Sequence, residues 1–364
     1  MKKILIFSNY AWTIYNFRLP LIKHLISQGF KLEILTRKDA FFDKLTQDSH
    51  IPCHELKLSR VGMNPIEELR SIWHIYLSIK KINPDVILTF TIKPNLYTGL
   101  LNLIFKKKVI ANITGIGVIS STVIFPLVKL LYRIALAKVN TVFFQNEEDL
   151  NYFVTNRLVK KNKCFRIYGS GINLLKYVPN NTVTPDKKIF LMAARLIPQK
   201  GFYELMEASS LLHSKLNSNQ SNWEIVIFGA MQEDRPESIQ LYHVLKQSHD
   251  VTFHGYTDHI QSILKTVYFV VLPTYYNEGI PRILIEAIAM GKPIITTKQK
   301  GCMDCYHNNG YLVSPRDVHD LHNALVKAIN LSNEDYKNFC ENSRQLAVEK
   351  FDENCIFKAY TKQL

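Results

Sequence analysis

Two glutamates, Glu278 and Glu286, lie eight positions apart in the stretch "NEGIPRILIEAIAMGKPIITT" (residues 277–297). Gly279 and Pro281 keep the loop around Glu278 from being helical, whereas Glu286 lies in an apolar run with the pattern of a helix. Free N–H groups at the start of that helix form a seat for a phosphate. Each ionised carboxylate suits a pair of neighbouring sugar hydroxyls. The same spacing also fits an ordinary helix whose acidic residues interact with the helix dipole.

A second group of polar residues follows the apolar run "KIFLMAA" (188–194). Arg195 comes directly after this run, and Lys200 and Gly201 follow before a helical pattern. A guanidinium and an ammonium at the end of a strand suit a diphosphate leaving group, whose developing charge they stabilise. The alternative is a solvated loop with two unrelated cations, because this motif is weak by itself.

Short apolar runs alternate with longer helical patterns along the chain, which predicts parallel sheets with helices on both faces. Two sets of such runs predict an α/β fold with two doubly wound Rossmann-like domains. The predicted strands are 3–8, 31–36, 85–90, 108–113 and 141–145 in the first half, and 188–194, 224–229, 250–255, 269–274 and 293–297 in the second.

The stretch 168–188 is rich in Gly, Pro and Asn and is predicted to link the two domains. The N-terminal domain is expected to span 1–172, with a C-terminal helix at about 350–364 packing back on it. The second domain is expected to span 173–349. Open α/β sheets bind ligands outside the carboxyl ends of their strands, so a cleft between two facing domains is the expected site.

The net charge of +14 lies entirely in the first half of the chain. Residues 1–175 carry 25 Lys/Arg and 11 Asp/Glu, a difference of +14, whereas residues 176–364 carry 20 of each, a difference of zero. The first half is therefore expected to meet an anionic partner. The start of the chain lacks a signal-peptide pattern, and six scattered cysteines do not form a secreted disulfide framework, so a cytoplasmic location is expected.

The order and spacing of the two polar motifs resemble the retaining GT-B glycosyltransferases of family 4, over nearly the whole chain. The resemblance implies that Glu278 contacts the hydroxyls of the donor sugar and that Glu286 contacts the nucleotide ribose. It also implies that Arg195 and Lys200 hold the diphosphate, which makes Glu278, Arg195 and Lys200 the catalytic candidates.

Gly279, Ile280 and Gly229 are further donor-binding residues that the resemblance implies. The chain departs from the family pattern in two places. Ala194 replaces the glycine usual before the arginine, and Ala230 follows Gly229 where a second glycine is common. The nucleotide seat is therefore expected to differ in shape.

The first half narrows the resemblance through "NYAWTIYNFRLPLIKHLISQGF" (9–30), "TFTIKPNLYTGL" (89–100) and "ANITGIGVIS" (111–120). These stretches resemble bacterial transferases that extend lipid-linked surface oligosaccharides, many of which use UDP-N-acetylhexosamines and polyprenyl-diphosphate acceptors. The resemblance implies a UDP-sugar donor and a polyprenyl-diphosphate-linked saccharide acceptor.

A catalytic histidine found in many family-4 enzymes has no counterpart here, where the chain reads Thr114-Gly115-Ile116-Gly117. Gly115 and Gly117 would let the backbone approach the donor closely; the alternative is a tight strand-to-helix turn. Thr114 is a candidate acceptor-binding residue.

Arg18 and Lys93 follow the first and third predicted strands and are candidates for pairing with the acceptor's diphosphate. They are otherwise solvated surface cations.

The stretch 117–139 is largely apolar and is long enough to suggest a membrane span. Pro126, Lys129 and Arg133 interrupt it, so an amphipathic helix that dips into a leaflet is expected, with a buried interdomain helix as the alternative. Lys106, with the two lysines after it, favours contact with the anionic inner face of the cell membrane.

No Asp-x-Asp metal motif occurs in the chain, so no metal or other cofactor is expected. Cys302 and Cys305 have the spacing of half a zinc site, but no second pair follows them and chance is favoured. A nucleotide-sugar epimerase or phosphorylase on the same fold remains an alternative. A nucleic-acid-binding protein is disfavoured because the cations do not alternate with aromatic residues. A dinucleotide-dependent dehydrogenase is disfavoured because the motif G-x-G-x-x-G is missing after the first strand.

Overall fold

A computed structural model of the chain describes residues 1–56, 65–115, 125–180, 187–215, 222–277 and 279–364. Of the predicted site residues, Glu278 and Gly117 lie outside this part of the chain. The described residues form two compact units. Unit 1 comprises residues 1–170 and 354–364, and unit 2 comprises residues 171–353.

Unit 1 is built on a parallel sheet of seven strands. The strands are β1 (Lys3–Ser8), β2 (Lys31–Thr36), β3 (Cys53–Glu55), β4 (Val86–Phe90), β5 (Lys108–Ile113), β6 (Thr141–Phe144) and β7 (Cys164–Arg166). They lie in the order β3-β2-β1-β4-β5-β6-β7. The helices between them are α1 (Ala11–Phe17), α2 (Leu19–Ser27), α3 (Phe42–Ser49), α4 (Pro65–Ile82), α5 (Ile92–Phe105), α6 (Phe125–Ala137) and α7 (Glu147–Thr155).

Unit 2 repeats this architecture with six strands. They are β8 (Lys188–Ala193), β9 (Trp223–Phe228), β10 (Thr252–Phe253), β11 (Phe269–Leu272), β12 (Ile294–Thr297) and β13 (Gly310–Val313), in the order β10-β9-β8-β11-β12-β13. Its helices are α8 (Phe202–Lys215), α9 (Pro236–Gln247), α10 (Ile260–Leu264), α11 (Arg282–Ala289), α12 (Lys300–Met303), α13 (Val318–Ile329) and α14 (Asn333–Lys350), and α15 (Glu353–Lys362) ends the chain.

Helices cover both faces of the unit 1 sheet, which is why its central strands are apolar along their whole length. One face packs against α4, α5 and α6, with Ile75, Leu96 and Ala135 in the buried cluster. The other face packs against α1, α2 and the end of the chain, where α15 buries Phe357 and Tyr360. The two Rossmann-like α/β domains predicted from the sequence are thus confirmed.

The strands that the sequence analysis missed are edge strands, and the largest overextension is also at an edge strand, whereas the central strand β11 ends two residues before its predicted end. β3, β7 and β13 were not predicted, and β10 covers Thr252–Phe253 where 250–255 was predicted. An edge strand pairs on one side only and is less buried, so its apolar pattern is weaker than that of a central strand.

The order of the strands reverses between β1 and β4 in unit 1, and between β8 and β11 in unit 2. Such switch points are where open α/β sheets bind ligands. Arg195 and Lys200 follow β8, and Gly279, Ile280 and Glu286 follow β11, with Glu286 inside α11. After β1, Arg18 lies between α1 and α2, and after β4, Lys93 lies in the first turn of α5. Across the described ranges, the chain has no helix with the length and hydropathy of a membrane span.

Candidate functional site

The loop after β8 and the loop after β11 lie against each other. Gly201 has a φ of +88°, and a Cβ at this position would overlap the carbonyl of Pro273. The Gln199 carbonyl accepts hydrogen bonds from the Tyr275 amide at 2.9 Å and from the Thr274 hydroxyl at 3.2 Å. The glycine of the Lys-Gly pair is therefore required because the two backbones approach so closely.

This contact brings both predicted diphosphate-binding cations to one aromatic ring. The Nζ of Lys200 lies 5.5 Å from the ring centroid of Tyr276, and the guanidinium carbon of Arg195 lies 5.9 Å from it. Lys200 is buried and Arg195 is exposed. Both distances are within the range of a cation–π interaction, so Tyr276 orients the two cations toward one region. The sequence analysis did not single out Tyr276, because no local pattern distinguishes this ring from any other loop aromatic.

Glu286 lies in the second turn of α11 and is only 8% exposed. Its Oε1 accepts hydrogen bonds from the Nε of Arg282 at 2.9 Å and from the hydroxyl of Tyr177 at 3.0 Å. Arg282 also donates from Nη1 to the Gly171 carbonyl at 2.7 Å. Pro281 is the N-cap residue, so the helix begins at Arg282. The carboxylate is therefore held by two donors, as burial of a charge requires.

The electrostatic effect of this cluster appears in the pKa values of its donors. Burial would lower the pKa of Arg282, but the adjacent Glu286 carboxylate outweighs burial and raises it. Burial, together with the same carboxylate, raises the pKa of Tyr177 well above its usual value. Both groups stay protonated near neutral pH and keep donating to Glu286.

Gly279 is buried near the end of the loop between β11 and α11, and Ile280 is half-buried. Gly301 packs against the Gly279 carbonyl so closely that a Cβ at position 301 would overlap it. Gly301 therefore helps fix the backbone that precedes the α11 N-terminus, a role that no sequence pattern indicated.

Gly229, a predicted donor-binding residue, has a packing role in the structure. A Cβ here would lie 2.7 Å from the Ala194 carbonyl oxygen and would overlap the Leu196 side chain. The absence of a side chain lets the end of β9 approach the loop that carries Arg195. Its contact with the donor stays a prediction.

Several buried polar atoms in the loops of unit 1 have no hydrogen-bond partner among the described residues. They lie at the carboxyl ends of β1, β2 and β4 and belong to Ser8 (Oγ), Asn9 (Oδ1), Thr36 (Oγ1), Arg37 (Nη1) and Thr91 (Oγ1). Buried polar groups are normally paired, so this concentration at one edge of the sheet marks a place where a polar ligand would complete the bonding.

Thr91 is also strained. It has a φ of +75° with a ψ of 166°, a conformation that a β-branched residue adopts rarely. Its position directly after β4 places this strain at the switch point of unit 1. Backbone strain of this kind concentrates at functional sites.

The predicted acceptor-side residues of unit 1 have distinct environments. Lys93 donates from Nζ to the Oε1 of Glu68 at 2.6 Å, so an ion pair compensates its charge. Arg18 is buried, with its guanidinium 4.4 Å from the Phe90 ring centroid. Thr114 and Gly115 are half-buried after β5, and Gly115 has a φ of +143° that favours glycine. Their contact with an acceptor or donor stays a prediction.

Cys302 and Cys305 are buried and are not joined in a disulfide. Within the described ranges, no three His, Cys, Asp or Glu side chains are grouped so that they could hold a metal ion.

Two family models match the chain. The model "Glycosyl transferase 4-like" matches residues 3–146, and the model "Glycosyl transferases group 1" matches residues 176–346. The first match lies in unit 1 and the second lies in unit 2.

Curated relatives resemble the chain along most of its length. An N,N'-diacetylbacillosaminyl-diphospho-undecaprenol alpha-1,3-N-acetylgalactosaminyltransferase of Campylobacter jejuni is 28% identical over 375 residues, which cover 96% of this chain and 95% of the relative. The capsular polysaccharide biosynthesis glycosyltransferase CapM of Staphylococcus aureus is 23% identical, with 85% of this chain and 87% of the relative covered.

Solved structures share the fold. A glycosyltransferase of Rickettsia africae has a TM-score of 0.80 at 19% identity and covers 99% of this chain and 97% of its own. The Anabaena protein HepE in complex with UDP has a TM-score of 0.77 at 17% identity, with 99% and 98% covered. The part that matches the group 1 model carries Arg195 and Lys200 after β8 and Glu286 in α11. The chain therefore belongs to the glycosyltransferases, with a 4-like N-terminal part and a group 1 C-terminal part.

Proposed function

We propose that the protein is a retaining glycosyltransferase that moves a sugar, an N-acetylhexosamine or a derivative, from a UDP-sugar to a lipid-linked saccharide in the assembly of a bacterial surface glycan. The observation that carries this proposal is the arrangement of unit 2 around the switch point between β8 and β11. There, Arg195 and Lys200 follow β8, and Glu286, which accepts a hydrogen bond from Arg282, follows β11. The Campylobacter relative, whose acceptor is a diphospho-undecaprenol-linked sugar, supports the acceptor class. The Anabaena complex with UDP supports the nucleotide.

In the proposed reaction, the acceptor hydroxyl attacks the anomeric carbon on the face from which UDP leaves. The bond from that carbon to the diphosphate oxygen breaks, a glycosidic bond forms, and the leaving oxygen takes the hydroxyl proton. Arg195 and Lys200 hold the charge that develops on the diphosphate, and Glu278 holds hydroxyls of the donor sugar. The two cations can do this without a divalent ion, so we propose that turnover persists in EDTA.

The proposal is tested by thermal unfolding with UDP, GDP, ADP and dTDP, on the wild type and on Glu286→Ala. A nucleotide at one hundred times its dissociation constant stabilises a protein by about 2.7 kcal/mol. We expect stabilisation by UDP alone and its loss in Glu286→Ala. Absence of stabilisation by every nucleotide in the wild type would contradict the proposal.

The nucleotide-sugar epimerase is the second candidate on this fold. An epimerase alters its donor without an acceptor, whereas the proposed transferase consumes UDP-sugar at a useful rate only when the lipid-linked saccharide is added. Product analysis of a reaction that lacks the acceptor separates the two.

We also propose that unit 1 binds the inner face of the cell membrane through the outer surface of α4 and α6. The α4 side chains Ile66, Leu69, Trp73 and Leu77 lie on one side of the helix and are 43–67% exposed. On α6, Leu127, Leu130 and Ile134 form a second stripe that is 41–58% exposed. Exposed apolar residues in such numbers mark an interaction surface.

The two stripes belong to one layer because α5 joins their helices. Tyr76 of α4 stacks on Phe105 at the end of α5, with centroids 5.1 Å apart. Gly99 of α5 lies so close to α6 that a Cβ there would be 2.7 Å from Ala135. The layer therefore extends the amphipathic surface that the sequence analysis limited to 117–139.

Cations beside the stripes favour an anionic leaflet over a second copy of the chain. The three helices and their ends carry six exposed basic residues, which are Arg70, Lys80, Lys81, Lys106, Arg133 and Lys138. The acidic residue Glu67 is also exposed on α4. Each cation near an anionic membrane contributes about 1 kcal/mol. Two copies docked through this surface would oppose like charges, which is unfavourable.

Flotation with vesicles of phosphatidylglycerol and phosphatidylcholine tests this surface. We expect the wild type to float with the anionic vesicles and the Leu69→Glu/Trp73→Glu variant to remain at the bottom. Val348→Glu, at an apolar position on α14 of unit 2 that is 49% exposed, is the control and should float. Flotation of the α4 variant, or binding to pure phosphatidylcholine as strong as to anionic vesicles, would contradict the proposal.

A further inference from the structure

Tyr177 reaches Glu286 from a segment that carries no motif. It lies in the irregular stretch between the start of unit 2 and β8, 109 positions before Glu286 in the chain. It is 7% exposed, and its hydroxyl donates to the Oε1 of Glu286 at 3.0 Å. A buried tyrosine hydroxyl needs a partner, and here the partner is the carboxylate with the proposed ribose role.

A second side chain fixes the segment that carries Tyr177. Arg344 of α14 donates from Nη1 to the carbonyl of Tyr177 at 2.7 Å and to that of Ala289, at the end of α11. From Nη2 it donates to the Leu174 carbonyl at 3.2 Å. The backbone of Tyr177 is thereby tied to the same helix that carries Glu286, so the hydroxyl is held in place when no ligand is bound.

The two donors to Glu286 both use one oxygen. Tyr177 and Arg282 bind Oε1, whereas Oε2 receives no hydrogen bond from the described residues. Because two donors fix Oε1, the direction of Oε2 is also fixed, and Oε2 can still accept hydrogen bonds. That is the state a carboxylate needs to accept a hydroxyl from a ligand without reorganising.

We infer that Tyr177 is a positioning residue for recognition of the nucleotide ribose, acting through Glu286. The inference rests on the proposed function, because it takes Glu286 as the ribose ligand. Tyr177 fixes the rotation of the carboxylate and thereby makes binding sensitive to the presence of the ribose 2′-hydroxyl.

The experiment measures the dissociation constants of UDP and 2′-deoxy-UDP by calorimetry on the wild type, Tyr177→Phe and Tyr336→Phe. Tyr336→Phe is the matched control, since it removes a buried hydroxyl of unit 2 that bonds the Tyr268 carbonyl. We expect the wild type to prefer UDP by at least about tenfold, as for a hydrogen bond to a charged group. Tyr177→Phe should reduce this preference to about twofold, because it weakens the binding of UDP and leaves the binding of 2′-deoxy-UDP unchanged. Tyr336→Phe should keep the preference of the wild type.

Each contrary result has a distinct meaning. If Tyr177→Phe keeps the full preference, or weakens both nucleotides equally, Tyr177 does not act on the ribose and the inference is overturned. A wild type that binds both nucleotides equally overturns it together with the ribose role of Glu286. Absence of UDP binding in the wild type removes the proposed function itself.

A variant at the other donor keeps the test decisive if Tyr177→Phe does not fold. Arg282→Lys retains the positive charge but loses the Nε donor to Oε1. The same fall in the preference for UDP is expected, and an unchanged preference would overturn the positioning of Glu286 through Oε1.

Discussion

The segments of the two units that carry predicted substrate-binding residues differ in how those polar side chains are held. In unit 2, Glu286 has two donors, and Arg195 and Lys200 lie beside the Tyr276 ring. In unit 1, polar atoms after β1, β2 and β4 have no partner among the described residues, and Thr91 is strained. We infer that the predicted donor-side groups of unit 2 are preorganised by the protein, whereas a polar ligand would complete the hydrogen bonding of the unit 1 loops.

The largest effect is expected from a cation of the preorganised side. Arg195→Ala should lower kcat by about 10²–10³, the loss typical of one donor to a developing charge. Flotation with anionic vesicles should not change, because the proposed membrane surface lies on α4 and α6. Initial rates of UDP release with the lipid-linked acceptor measure the effect, with Arg235→Ala, an exposed arginine before α9, as the control. A turnover equal to that of the wild type would remove Arg195 from the leaving-group role.

Lys292 of unit 2 is a buried cation whose hydrogen bond goes to a backbone carbonyl and not to a carboxylate. It is 1% exposed, its Nζ donates to the Lys265 carbonyl at 3.2 Å, and burial lowers its pKa from 10.5 to about 8. Below pH 8 the lysine is charged in both the folded and the unfolded state, so folding bears the full cost of burying the charge. The cost falls as pH rises from 8 and is absent above 10.5.

Lys292→Met is therefore expected to stabilise the protein at pH 7, by up to about 3 kcal/mol. The gain should shrink between pH 8 and pH 10. Urea unfolding of variant and wild type at pH 7 and pH 9.5 measures it, and Lys188→Met, at a half-buried lysine, is the comparison that should gain less. A variant that is less stable at pH 7 would show that the Lys265 carbonyl bond outweighs the burial of the charge.

The smallest effect is expected at the strained residue of unit 1. Thr91→Gly accepts the φ of +75° without strain and removes a buried unpaired hydroxyl, so the free energy of unfolding should rise by about 1 kcal/mol. If the hydroxyl binds the acceptor, the KM for the acceptor should rise while the affinity for UDP stays constant. Thermal unfolding and acceptor titrations measure both quantities. An unchanged acceptor KM combined with higher stability would mean that the strain serves no acceptor contact.

Much of the fold was predictable because central parallel strands are apolar along their length. The central strands appear where the sequence placed them, whereas edge strands such as β3 and β13 were missed. Residues of the candidate site could be predicted only where they belong to a motif within one short segment of the chain. The spacing of Arg195 and Lys200, or of Glu278 and Glu286, is a property of one strand-loop-helix segment. Tyr276, Gly301 and Arg344 act across distances in sequence that no local pattern reveals.

Local sequence was enough to predict the two α/β domains, the segments that carry the candidate donor-side residues and the basic character of the first half. These follow from short-range periodicity, loop composition and charge, which each segment carries independently of its neighbours. Only the tertiary structure decided that Tyr177 clamps Glu286, that Lys93 is paired with Glu68, and that α4 and α6 expose apolar stripes in one layer. The reason is physical: hydrogen-bond partners and exposed faces depend on which distant segments the packing brings together.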